Sequence, residues 1–482
     1  MSGHRSRLFK AGGIAAALSL VVGCAVGPNH EAPKVATPQA HRGEKTAAKK
    51  SFAELPWWEL YRDPKLFELI KAATTSAYDL RIALSRVEIA RQSHRAAAWA
   101  LAPTVGVSLG AGDAVGSTAI PGMYPPGETN QHYGLSVGAS WEPDLWGRLR
   151  RIKEAAENEY LAADEDRRGV YIALVSDIAE LYFDLAAIDK QEAYAKQAVE
   201  TRRETFEMFQ QRAGGGVGND LEVARAKAGL KQAESQVTQL QLARITDEDA
   251  LSYLLAKPPG PIEGRANLDA LTVPPDVPAG LPSTLLKRRP DIRGSEKRLK
   301  AANARIGAEM ADFFPSFNLT GFLGVASPNL NEAKSIRGGA ALFKWTLPFL
   351  GGERERAEYD AAKAAWEGSA ADYERTVTNA FREVADSLAA VQSLRERRTA
   401  LQEQVEALEY AGRIAVDRYR GGVSNYLEVL TVQEQMLAAQ LELGFVIGRQ
   451  LVAVSQLYRN LGGGWPIPEE KEGEEHKDEQ SK

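Results

Sequence analysis

The sequence predicts a duplicated membrane protein of mixed α/β class, built from very long helices and short pairs of strands. Three observations carry that reading. The segment Gly216-Val217-Gly218-Asn219-Asp220-Leu221-Glu222-Val223 returns 206 positions later as Gly422-Val423-Ser424-Asn425-Tyr426-Leu427-Glu428-Val429. Three segments of about ten residues alternate apolar with small or polar side chains, the period of a strand with one apolar face, and residues 336–345 make a fourth, less clean candidate. The chain also begins with an export signal ending at its single cysteine, Cys24. Two fainter echoes accompany the first. Asp79-Leu80-Arg81, Arg86 and Pro103 align with Asp291-Ile292-Arg293, Arg298 and Pro315 at an offset of 212, and Trp141 and Gly147 with Trp345 and Gly351 at 204. A unit of about 205 residues has been copied once, and repeats of this kind build a fold by pseudo-symmetry.

The N-terminal elements are the signal and its anchor. Arg5, Arg7 and Lys10 precede the apolar run Ala11–Val22, and Val21-Val22-Gly23 leads into Cys24. So short a run cannot cross a bilayer core of about 30 Å as a helix, so residues 1–23 read as a removed signal peptide. A lone cysteine after a small residue has the pattern of a bacterial lipobox, whose thiol is acylated after cleavage; an incidental cysteine is the plainer alternative. Ala25 follows, where aspartate would signal inner-membrane retention, so sorting to the outer membrane is expected. With no second cysteine there is no disulfide framework and no thiolate metal site.

Residues 24–60 form the anchored N-terminal segment, with a Pro-, Ala- and Lys-rich leash over 29–50. Repeat 1 spans 61–256, a proline-rich connector 257–282, and repeat 2 283–465. Residues 466–482, with seven acids against three lysines, make a disordered tail by composition. A net charge of −5 without any basic block excludes nucleic acid as a partner.

From Arg148 to Arg212 no proline interrupts a stretch dominated by Ala, Glu, Leu and Arg, all good helix formers. Roughly 65 residues at about 1.5 Å each would reach about 100 Å. The stretches 219–256, 352–420 and 424–461 have the same character. In the last, Leu430, Leu437, Leu441, Gly444, Ile447, Leu451, Val454 and Leu461 form one apolar seam on an otherwise polar rod.

The strands are expected at about 104–112, 132–141, 316–325 and 336–345. Val105, Val107, Leu109 and Ala111 alternate with Gly106, Ser108, Gly110 and Gly112; Tyr133, Leu135, Val137, Ala139 and Trp141 alternate with Gly134, Ser136, Gly138 and Ser140. In the second repeat Phe317, Leu319, Leu323 and Val325 alternate with Ser316, Asn318, Thr320 and Gly324. About nine to eleven residues suffice for a strand to cross a bilayer. Four strands cannot close a barrel, and a sheet edge cannot face lipid with its amides unpaired, so the membrane part must be a homo-oligomer. Pro103 and Pro315 end the helices that precede the strands. Trp141, Trp146 and Trp345 stand at the strand exits, as a periplasmic aromatic girdle or as ordinary junction packing. The Gly-, Pro-, Asn- and Ser-rich stretches 113–131 and 326–335 are the expected extracellular loops.

Catalytic patterns fail on context. The six histidines show no metal-ligand spacing. Gly106-Val107-Ser108-Leu109-Gly110 matches a hydrolase elbow, but that motif needs its serine at a strand-to-helix turn, not inside an alternating strand. Gly214-Gly215-Gly216 with Gly218 follows a helix and lacks the Lys-Ser/Thr of a phosphate loop. No enzyme activity, cofactor or metal is expected.

The chain resembles the TolC-type outer-membrane efflux proteins, in particular their lipoprotein branch. The resemblance rests on Cys24-Ala25-Val26-Gly27-Pro28-Asn29, Trp57-Trp58-Glu59-Leu60-Tyr61 with Asp63-Pro64, and Trp141 through Arg148; then Arg288-Arg289-Pro290-Asp291-Ile292-Arg293, Phe314-Pro315-Ser316, Tyr419 through Val429, and Leu461 through Trp465. It implies a trimer whose protomers each give four strands to a twelve-stranded β-barrel, continued by a long α-helical periplasmic tunnel. Such a protein is a passive gated exit duct for drugs or toxic compounds, lipid-anchored in the outer membrane. Its partners would be a periplasmic adaptor (membrane fusion) protein and an inner-membrane pump of the resistance–nodulation–division class.

The resemblance also assigns residues. The turns with Gly216, Gly218, Gly422 and Val423 would meet the adaptor at the periplasmic tip. Glu222 and Glu428 are equivalent positions of the duplication, and the family position matching Glu428 gives a carboxylate to a ring at the constriction, which would favour cations. A tyrosine matching Tyr419 bonds to an acid matching Glu222 and latches the closed state, and Arg418 matches a further latch position. Thr431 stands where the family has an aspartate, which puts a second acidic ring in doubt. As the plainer alternative, Glu222 and Glu428 are solvated acids near helix N-termini, where negative charge is favoured. Rival functions are a periplasmic adaptor or structural lipoprotein, and the outer-membrane channel of a type I protein secretion system.

Overall fold

The computed structural model describes residues 25–40, 42, 51, 63–115, 129–216, 218–271, 279–280, 282–327, 336–346 and 352–463. The signal segment, Cys24, the inter-strand stretches 116–128 and 328–335, most of the leash beyond residue 40 and the acidic tail lie outside them. The elements run α1 Pro64–Ser76, α2 Tyr78–Trp99, β1 Thr104–Val115, β2 Thr129–Trp141, α3 Arg148–Gly214, α4 Asp220–Leu254, a 3-10 turn at Leu268–Ala270, α5 Pro282–Arg288, α6 Pro290–Ala311, β3 Ser316–Ser327, β4 Ile336–Thr346, α7 Gly352–Arg420 and α8 Tyr426–Asn460. The order α-α-β-β-α-α thus occurs twice. α2 and α6 are both 22 residues long and β1 and β3 both 12, at the 212 offset, while α4 and α8 are both 35, at the 206 offset. Contacts group the chain into two compact units, and each takes part of both repeats: Met1–Lys34, Arg86–Asp164 and Gly294–Glu374 in one, Val35–Ser85, Glu165–Arg293 and Arg375–Lys482 in the other.

The first unit holds one antiparallel sheet in the order β1-β2-β3-β4, with β2 and β3 joining the two repeats. Residues directly opposite in such a sheet share a face, so the register sorts side chains into rows. Val105, Ala139 and Gly321 form one row, and Val107, Val137 and Leu323 the next. On the opposite face run Thr104, Ser140, Thr320 and Leu342, then Ser108, Ser136 and Gly324. The alternation read from the sequence therefore sums over the strands into one apolar and one mostly small or hydroxylic face. The apolar face is uncovered: Leu109 is 85% exposed, Leu323 73% and Val107 71%. Phe322 breaks the pattern by placing a ring on the small-residue face. Gly324 is needed where it stands, since a Cβ there would lie 2.8 Å from the Ser136 Cβ.

The ends of the strands are tied down by indoles. Trp141 Nε1 donates to the Leu101 carbonyl at 3.0 Å, and Trp146 Nε1 to the Pro315 carbonyl at 2.9 Å, so each closes a helix-to-strand corner. Asp144 starts α3, its carboxylate accepting from the Leu149 and Arg150 amides at 3.0 Å each. The residues just after Cys24 dock here: the Val26 amide donates to the Trp146 carbonyl at 3.0 Å and Asn303 Nδ2 to the Pro28 carbonyl at 2.9 Å.

The second unit is helical around one apolar core that includes Leu66, Ile70, Ile178, Tyr182, Leu251, Val452 and Leu457. Tyr182 organises its edge. Its hydroxyl donates to Asp63 Oδ1 at 3.1 Å and accepts from the Ala266 amide at 3.0 Å, while Asp63 caps α1 through the Leu66 amide at 2.8 Å. Burial pushes the Tyr182 phenol up to about 12. α8 departs from the expected narrow seam. From Leu443 to Tyr458 it is buried on most sides, because α3 and its neighbours enclose it. Gly444 and Gly448, four residues apart, let α3 approach, and a Cβ at Gly448 would lie 2.6 Å from that of Ala187.

Candidate functional site

The candidate site is the pair of helix–helix turns in the helical unit, which the duplication builds alike. After α3, the Gly215 amide donates to the Gln211 carbonyl and that of Gly216 to Ala213, both at 3.0 Å. After α7, Gly421 donates to Asp417 at 2.9 Å and Gly422 to Tyr419 at 3.0 Å, the same bonds shifted by 206. Gly216 (φ +77°) and Gly422 (φ +72°) take the left-handed conformation that ends a helix and that a side chain disfavours. Gly218 is required by space, a Cβ there falling 2.4 Å from the Ala213 nitrogen. The second helices then start differently. Asn219 Oδ1 accepts from the Leu221 amide at 2.8 Å, whereas Asn425 makes no such cap. Glu222 and Glu428 lie in the first turns of α4 and α8, where the helix dipole favours an acid.

Side chains break this symmetry. Arg418 Nε lies 3.5 Å from Glu428 Oε2, so the two predicted residues pair within one hairpin, both about half exposed. Tyr419 does not bond to Glu222 within the chain. Its hydroxyl accepts from Arg212 Nη1 at 2.8 Å, and its ring meets Phe209 at 6.4 Å and Tyr426 at 5.6 Å. Phe209 and Tyr426 touch edge to face at 4.6 Å, and with Ala226, Ala415 and Val429 they form a small buried cluster joining the two hairpins. Burial pushes the Tyr426 phenol up, opposed by its hydrogen bond with Thr205 and by the charge of Arg202. Glu222 has no ion pair among the described residues. Thr431 turns its hydroxyl onto the Leu427 carbonyl at 2.8 Å and brings no charge to the turn. An open apolar groove of about 690 Å³ runs along the second hairpin between Tyr410, Ile414, Leu427 and Val432, with Arg418 and Glu428 at its rim. Val423 is exposed at the turn itself.

Arg212, Phe209 and Tyr426 escaped the sequence reading. The first was within reach, because the 206 offset that pairs Glu222 with Glu428 also pairs Arg212 with Arg418. Ser108 lies inside β1 opposite Ser136, not at a strand-to-helix turn. Among the described residues no group of His, Cys, Asp and Glu is placed to hold a metal ion.

The duplicated hairpins, alike in backbone bonds but not in side-chain pairs, and the sheet with one uncovered apolar face point to the class of membrane channel proteins. Comparison with known proteins narrows it. The model of the outer membrane efflux protein family matches twice, over residues 69–257 and 281–463. The chain is 33% identical over 454 residues to the antibiotic efflux pump outer membrane protein ArpC of Pseudomonas putida, covering 92% of this chain and 93% of that one. It is 32% identical over 456 residues to the cation efflux system protein CusC of Escherichia coli, covering 92% and 96%. The solved structure of the outer-membrane channel OprN superposes with a TM-score of 0.84 at 29% identity, over 92% of this chain and all of that one. This chain belongs to the outer membrane efflux protein family.

Proposed function

We propose that this protein is the outer-membrane channel of a tripartite efflux system, a passive gated exit duct for drugs or toxic compounds. The observation that carries the reading is the sheet, with β1 and β4 at open edges and one face apolar and uncovered. Hydrocarbon beside that face would leave the edge amides unsatisfied at several kcal/mol each. Pairing β1 of one copy with β4 of the next removes both edges. Three copies would supply twelve strands for a barrel and six hairpins for a helical periplasmic tunnel. Acylation of Cys24 adds a lipid anchor in the outer membrane. The turns with Gly216, Gly218, Gly422 and Val423 present the adaptor contact, and a resistance–nodulation–division pump supplies the energy. ArpC and CusC are named for antibiotics and for cations at almost the same identity to this chain, which supports leaving cargo choice to the pump. At the constriction the carboxylate of Glu428 stands beside Arg418, so a ring of three would be partly neutralised and its preference for cations modest.

The test uses the full-length protein extracted in detergent. Unheated gel samples should run as a trimer, and planar bilayers should show discrete conductance steps. A dispersed monomer without channel activity would reject the reading.

A further inference from the structure

We propose that Arg212 is a two-position toggle of the tip, held by Tyr419 when the turns are closed together and by Glu222 when they part. The inference rests on the gated-channel reading and deepens it. In repeat 2 the arginine pairs with the acid ten residues on, Arg418 with Glu428 at 3.5 Å. Repeat 1 has the same residues at the same spacing, Arg212 and Glu222, across a turn with matching backbone bonds. Yet there the guanidinium is engaged elsewhere, donating to the Tyr419 hydroxyl at 2.8 Å on the other hairpin. The difference traces to one position. Tyr419 occupies in repeat 2 the place of Ala213 in repeat 1, so only one hairpin offers a phenol for the other's arginine. When the hairpins separate, the phenol leaves and Arg212 falls within reach of the acid its counterpart already holds. Glu222, with no ion pair among the described residues, is the vacant second position. Tyr419 itself is held in place by Phe209 and Tyr426, which makes both of them positioning residues for the latch.

The two positions predict opposite signs, which separates a toggle from a direct Tyr419–Glu222 bond. An exposed charge-assisted hydrogen bond is worth about a three- to fivefold bias per copy, and concerted opening of three copies multiplies this to roughly 30–100-fold. Single-channel recording of the full-length protein in planar bilayers, with melting of the detergent-solubilised assembly as a folding control, reads this as open probability. Tyr419→Phe should raise it on that scale, and Glu222→Gln should lower it. Arg212→Gln, which loses both partners, should abolish the effect of each, and Arg212→Lys should restore part of it. A rise on Glu222→Gln, or independent effects of Arg212→Gln and Tyr419→Phe, overturns the toggle while leaving a gate in place. If Phe209→Ala, which unpacks the whole cluster, also leaves conductance unchanged, the turns are not the constriction and the gate reading itself fails.

Discussion

Ala256 is the one described non-glycine residue with a left-handed backbone, at φ +55°. Its copy in the duplication is Gly462, at φ +72°, and both follow a leucine at φ −81° and ψ −1° that closes a 35-residue helix. The same pair of capping bonds forms at each, to the carbonyls of Tyr253 and Ser252 in one repeat and of Arg459 and Tyr458 in the other. One repeat therefore met the requirement with glycine and the other left a Cβ where it is strained by about 1 kcal/mol. Ala256→Gly should stabilise the assembly by no more than about 0.5 kcal/mol, since the relief exceeds the added unfolded-chain entropy only slightly. Thermal melting in detergent checks this, and a lower midpoint would contradict the strain argument. At Arg418 the issue is charge. Arg418→Gln leaves Glu428 uncompensated, so reversal potentials in a salt gradient should shift toward cation selectivity; an unchanged potential would place this pair away from the pore.

Element by element, periodicity was the legible part. Alternation placed all four strands to within three residues of their ends, and Pro103 and Pro315 marked where helices stop. It could not show that β2 pairs with β3 across the two repeats, because alternation assigns faces and not neighbours. Nor could it show that α8 is enclosed, since a seam reads the same whether one helix or several cover it. The Tyr419 partner was legible only in part: the 206 offset marks Arg212 as the copy of Arg418, but a sequence does not say which residue of the other hairpin a phenol meets. The contact of α3 with α8 makes two element-level predictions. Alanine gains about 1 kcal/mol over glycine in a helix, but the 2.6 Å approach to Ala187 at Gly448 allows no room, so Gly448→Ala should destabilise by about 1–3 kcal/mol. Gly444→Ala meets only the flexible Gln191 Cγ at 3.2 Å and should be neutral or better, so equal effects of the two would refute the packing argument. On the same helix pair, burial pushes Asp184 up to about 6; Arg449 at 3.8 Å pulls it back, and Asp247 and Glu180 add to the rise. A carboxyl raised on folding weakens the fold as pH climbs from its unfolded value through about 6, because the native state must give up a proton it prefers to keep. Asp184→Asn should therefore raise the melting temperature most at pH 7.5, by a smaller margin at pH 5, and hardly at all near pH 3, below the unfolded carboxyl value of 3.8. The opposite order would mean that the ion pair with Arg449 outweighs burial.

At the scale of the whole assembly, the reading depends on which face of the sheet meets lipid. Val107 and Ser108 are neighbours in β1 and belong to opposite rows, one with Val137 and Leu323, the other with Ser136 and Gly324. Arginine near the bilayer midplane on a lipid face costs about 2–4 kcal/mol, and a closed trimer would bear that cost three times. Val107→Arg should therefore sharply reduce insertion, seen as loss of the unheated trimer band from outer-membrane fractions. Ser108→Arg should leave that band intact, because a lumen-facing guanidinium stays in water, and should instead reduce conductance and turn it toward anions. A water-soluble sheet packed on another protein predicts no such split, since both substitutions would then act through contact and not through lipid. Recovery of Val107→Arg trimers at normal yield, with Ser108→Arg lost, would invert the barrel and with it the assignment of the small-residue face to the exit path.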